Sequence, residues 1–118
     1  MLHTLAFPTS RSGVLFARSG AAGPPPVLPA AAVAVVGSRR ADPRALEASR
    51  AFAAQAHAGS LEPARSGFCV VSGLALGCDS AAHSGCIAAG GVTVAVLPCG
   101  LDRVAPRSNA PLADRILT

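Results

Sequence analysis

The sequence predicts an α/β fold built on a parallel sheet, and three observations carry that expectation. Three short apolar runs, Ala32–Val36, Phe68–Val71 and Val92–Leu97, are each followed at once or within two residues by Gly or Pro. Two stretches of helix-forming composition, Arg44–Ala58 and Asp79–Ala89, separate them. Strands alternating with helices of this length give β-α-β-α-β, which calls for parallel strands joined by right-handed crossovers.

Each element has a local reason. Met1–Gly13 has no clear period, and Gly13–Ala17 reads as a short strand. Gly20–Pro29 (GAAGPPPVLP) is a connector too rich in Pro and Gly to hold a regular element. The chain therefore divides into an extension and connector over 1–29 and one sheet domain over 30–118. Ala32–Val36 lacks alternation, so it reads as a strand buried on both faces. Asp42-Pro43 supplies a helix start, Asp as N-cap and Pro where its missing N–H costs nothing. Leu46, Ala53 and Ala56 fall on one face of that helix, and Gly59 offers a stop. Ser60–Gly67 reads as a polar loop. The second helix starts with Asp79 or Ser80 as cap and ends at Gly90-Gly91. Gly85 should weaken it, unless the absent side chain lets the helix approach the sheet.

Composition excludes several chemistries. At 118 residues the chain has room for at most one domain. Its ten basic residues are all Arg, so a P-loop and a Schiff-base mechanism both lack their Lys. Cys69, Cys78, Cys86 and Cys99 form no C-x-x-C pair, which argues against zinc and thioredoxin-like sites; Cys69 and Cys86 read as small core residues. Met1–Phe7 lacks the basic start of a secretory segment, and no apolar run approaches membrane-spanning length. A reduced, cytoplasmic protein is expected, with no cofactor, no metal and no membrane contact. The net charge of +4 permits a polyanionic partner without requiring one.

In such a sheet the ligand site lies outside the carboxyl ends of the strands. Three loops leave that edge: Gly37–Arg40, Ser72–Asp79 and Pro98–Arg103. Glycine after each strand allows a sharp turn with bare N–H groups, suited to phosphate beside a helix N-terminus. Arg39 and Arg40 add guanidinium forks, though Arg40, Arg44 and Arg50 also read as ordinary solvated helix charges. Asp79 suits a cap better than an acid, and His83 suits a structural role. No G-x-G-x-x-G, G-x-S-x-G or H-E-x-x-H pattern occurs, and six carboxylates form no evident acid/base pair. No catalytic constellation emerges, so a non-enzymatic role is expected.

Three blocks resemble one family. They are Val35–Arg40 (VVGSRR), Val70–His83 (VVSGLALGCDSAAH) and Thr93–Asn109 (TVAVLPCGLDRVAPRSN), and in order and wording they are similar to the DNA-processing protein A (Smf) family over about Val33 to Ile116. The resemblance implies a Rossmann-like three-layer fold and sequence-independent binding of single-stranded DNA. It also implies loading of a RecA-type recombinase onto that DNA in natural transformation, with a homodimer as a candidate assembly. Arg39 matches the family's phosphate-contacting arginine, and Gly37, Ser38, Ser72 and Gly73 match the other walls of its phosphate pocket. Asp79 and His83 match its G-x-D-x-x-A-H signature, expected as loop support along with Gly100 and Asp102.

Departures from the family pattern are Cys78 for an aliphatic residue, Ala105 for an aromatic, and an insertion over Gly59–Gly67. The family continues with further strands and a Phe/Pro/Arg/Asn-rich segment that completes the DNA groove, so this sequence is expected to be the front half of such a domain. Phe7, Phe16, Phe52 and Phe68 read as core or connector residues rather than base-stacking ones. Two alternatives stand beside this. A phosphoribohydrolase-like nucleotide enzyme shares the sheet, but its P-G-G-x-G-T loop is absent. A fragment without independent function would expose an unpaired strand edge.

Overall fold

The computed structural model describes residues 2–6, 14–18, 31–58, 67–98 and 103–117. Two strands, β1 (Leu2–Ala6) and β2 (Val14–Arg18), pair antiparallel with Leu2 opposite Arg18. The second matches the expected short strand within a residue. The first has no sequence period to announce it, and its pairing with β2 supplies what the pattern lacks. The connector at 20–29 and most of the 60–67 loop lie outside the described residues.

The remaining elements form the expected α/β unit. In order they are β3 (Ala32–Ala34), α1 (Pro43–Ala58), β4 (Cys69–Ser72), α2 (Cys78–Ala88), β5 (Thr93–Ala95), a single 3-10 turn (Arg107–Asn109) and α3 (Ala110–Leu117). β3, β4 and β5 are parallel, in sequence order across the sheet, with Val33 opposite Val70 and Val70 opposite Thr93. The strands are shorter than their apolar runs, because ladder pairing stops where the chain turns away toward each helix.

α1 begins as its sequence dictates. Asp42 Oδ1 accepts the Ala45 amide at 2.8 Å, with Pro43 as first helical residue. α2 begins two or three residues earlier than expected: Gly77, not Asp79 or Ser80, is its N-cap, at φ 84°, and Cys78 opens the helix. Asp79 and Ser80 fall inside the first turn, where their side chains turn back to the preceding loop instead of capping.

Because consecutive strands are neighbours and both crossovers have the same hand, α1 and α2 lie on one face of the sheet. That face carries the core: Ala53 and Ala56 of α1, Val70 of β4, and Ala82 and Cys86 of α2, with Val33 and Val35 packed against them. Cys69 and Cys86 are both buried, and burial pushes their thiols above the ordinary range. The helices are Ala-rich, so their backbones approach closely, and they do so at Gly85. A Cβ there would overlap the Arg50 backbone carbonyl of α1. The absent side chain thus serves helix–helix contact, and not the helix–sheet contact that the sequence suggests.

The expectation of burial holds for β4, which is buried or half-buried throughout, and burial on both faces is corrected for β3, where Ala32 and Ala34 are exposed. Across the sheet, Ala32, Ala34, Val36, Val71, Val92, Val94 and Val96 point to the other face by register, and Val36 is 74% exposed. Same-handed crossovers leave that face uncovered among the described residues, and the second helical layer of a three-layer fold is not among them. Phe52 and Phe68, expected as core or connector residues, are 48% and 37% exposed. Phe52 stands on α1 one turn before Ala56, at the solvent edge of the buried stripe, and Phe68 precedes the first ladder residue of β4.

Candidate nucleic-acid interface

The carboxyl ends of β3 and β4 bring two of the three expected loops together. After β3, residues 37–40 are all exposed. Ser38 Oγ accepts the Arg40 amide at 3.1 Å, which closes a local turn and holds Arg39 at its outer bend. Among the described residues Arg39 has no ion-pair partner. The turn is tied to α2 by the Cys78 amide, which donates to the Ser38 carbonyl at 3.2 Å. Gly77 makes this possible, because a Cβ there would overlap the backbone carbonyls of Ser38 and Arg39 and its φ is left-handed.

The loop after β4 is held from inside. Asp79, buried in the first turn of α2, accepts the Gly73 amide at 3.1 Å and the Ala75 amide at 3.4 Å through Oδ2. His83 is fully buried, and its Nε2 accepts the Leu74 amide at 3.3 Å. Its Nδ1 lies 2.7 Å from Thr93 Oγ1, whose hydroxyl donates to the Val70 carbonyl at 2.8 Å. Since Thr93 donates to Val70, the imidazole must donate from Nδ1 and accept at Nε2, so the neutral tautomer is defined by the network. Burial pulls the His83 pKa down to about 4, against a smaller upward pull from Asp79.

These bonds revise the chemistry expected of the loop. The amides of Gly73, Leu74 and Ala75 are not bare; they are spent on Asp79 and His83. Ser72 is buried, and its hydroxyl donates to the Val35 carbonyl at 2.5 Å. Ser72 and Gly73 therefore stand behind the Gly37–Arg40 turn, while Ser38 and Arg39 face solvent. Gly100 and Asp102 lie outside the described residues, as does most of the third loop.

One residue at the site carries no functional signal in the sequence. Asn109, at the end of the 3-10 turn, donates through Nδ2 to the Leu74 carbonyl and to Ser80 Oγ, both at 2.8 Å. Ser80 in turn donates to the Ala75 carbonyl at 2.6 Å. The position of Asn109 at the end of the third sequence block is the one cue, and nothing in that cue names its target.

Residues 9–118 match the family of DNA recombination-mediator protein A. The chain belongs to that family. Similarity to individual members agrees. The chain is 50% identical over 52 residues to Protein Smf of Synechocystis sp., covering 44% of this chain and 13% of that protein. It is 34% identical over 84 residues to Protein Smf of Borreliella burgdorferi, covering 71% of this chain and 24% of that one. The X-ray structure of DNA processing protein A from Streptococcus pneumoniae superposes with a TM-score of 0.62 at 35% identity, over 73% of this chain and 28% of the other. The chain thus spans between 13% and 28% of the length of these family members. The superposition confirms the family's α/β Rossmann-like fold. Among the described residues no helix is long and apolar enough to cross a membrane, and no three side chains group as a metal site.

Proposed function

We propose that this chain supplies part of a surface that binds single-stranded DNA without base specificity, and that it serves recombination by delivering a RecA-type recombinase to the bound strand. The observation that carries the reading is the exposed Ser38-Arg39-Arg40 turn at the carboxyl edge of a parallel sheet, pinned to α2 through the Cys78–Ser38 bond. An arginine there binds phosphate as a planar fork, and its charge does not titrate in the working range. Ser38 Oγ retains its own donor for a phosphate oxygen. The Ser72–Gly73 turn, held by Val35 and Asp79, fixes the depth of the pocket, and Asp79 and His83 act as loop support. Nothing in this role requires a catalytic group; phosphate contacts position the strand and base identity goes unread.

Fluorescence anisotropy with single-stranded oligonucleotides across a salt series tests it. Binding at low salt is expected, with affinity falling as salt rises. Arg39→Ala should weaken it and reduce the slope of log K against log salt by about 0.7 for each phosphate that the arginine neutralises. Absence of binding at low salt, or unchanged affinity in Arg39→Ala, would sink the reading.

A further inference from the structure

Beside the Arg39 turn a groove of about 330 Å³ runs between α1 and α2, with Arg39, Leu46, Arg50, Gly77, Ser80 and Ser84 among its walls. Arg39 is common to the groove and to the proposed phosphate edge. Ser80 is committed to Ala75 and Asn109, which leaves, besides Arg39, Ser84 and the exposed, Glu47-paired Arg50 as polar groups among the groove walls. Arg50 is anchored where the helices touch, because its backbone carbonyl lies against Gly85. Its side chain is half exposed and pairs with Glu47 at 2.9 Å on the same helix. An exposed pair of this kind is weakly held, and the guanidinium has further N–H donors to offer. The volume lies at the lower end for a ligand site, enough for a sugar-phosphate unit, and Leu46 offers apolar surface to the sugar.

We infer that this groove takes a second phosphodiester of the strand bound at Arg39, with Arg50 and Ser84 as its ligands. The inference rests on the proposed function and extends it by giving the strand a direction, away from the sheet edge and along the α1–α2 seam. A short strand fills the Arg39 site alone, and a longer one reaches Arg50.

Anisotropy with a thymidine dinucleotide and with a long oligothymidylate separates the outcomes. Arg50→Ala is expected to weaken the long strand about fivefold and lower its salt slope by about 0.7, while leaving the dinucleotide unchanged. Glu47→Ala, which frees Arg50, should tighten the long strand and leave the dinucleotide alone; this variant keeps the test sharp whatever Arg50→Ala does to folding. Long-strand affinity unaltered in both variants, with Arg39→Ala still impaired, overturns the second site and leaves the proposed function standing. No binding of either probe, or an Arg39→Ala protein that binds as well as the parent, overturns both.

Discussion

His83 Nε2 accepts the amide of Leu74, and Leu74 is the one non-glycine residue at positive φ among the described residues, at 60°. A leucine in that conformation costs about 1–2 kcal/mol, so the loop is held by its bonds and not by local preference. The bond requires a neutral imidazole. Protonation would put N–H against N–H and place a charge in a fully buried site.

The expected consequence is a loss of stability in acid. In the unfolded chain His83 titrates near its ordinary 6.5, and in the fold at about 4. The unfolded chain therefore binds the extra proton between those values. The contribution is complete above about pH 6.5 and falls away as pH drops toward 4, to a total of about 3 kcal/mol. Thermal unfolding followed over that range should show a steeper decline in the parent than in His83→Gln. Parallel curves would contradict the assignment.

Asn109→Ala removes the donor to both the Leu74 carbonyl and Ser80 Oγ. Two hydrogen bonds at net values near 1 kcal/mol each predict a loss of about 1–2 kcal/mol. Oligonucleotide affinity should fall with it, because Leu74 lies in the loop behind Arg39 and Ser80, in the first turn of α2, holds that loop through Ala75. Unfolding in denaturant together with anisotropy checks both. A drop in stability without any change in affinity would show that the loop's position does not matter to binding.

Gly85→Ala would put a methyl group into the Arg50 carbonyl of α1. Overpacking of this sort costs about 1–3 kcal/mol, outweighing the gain of roughly 1 kcal/mol in helix propensity. A melting temperature equal to or above that of the parent would mean the helices can slide apart without penalty.

Much of this arrangement is legible in the amino-acid sequence. The β-branched runs and the Asp42-Pro43 start are local signals, and local physics decides them. Gly85 stands out as an anomaly, but its reason lies in a partner 35 positions earlier, at Arg50. The uncovered sheet face is not legible, because an apolar run without alternation reports that both sides avoid water, not what covers them. At the edge, Gly77 marks a sharp turn in a left-handed conformation, as its sequence context suggests. Which amides remain free there has no local signal, since Asp79 and His83 reach them from a helix whose first turn looks like an ordinary cap.

The bond from Asn109 to Leu74 spans 35 residues. The hydrogen bond from Ser72 to Val35 closes a segment of similar length, 37 residues, so the loop after β4 is held by two long-range ties of comparable closure entropy. The loop behind Arg39 is thus moored to the chain both before it, at Val35, and after it, at Asn109, and loosening either mooring loosens the ground on which Arg39 stands.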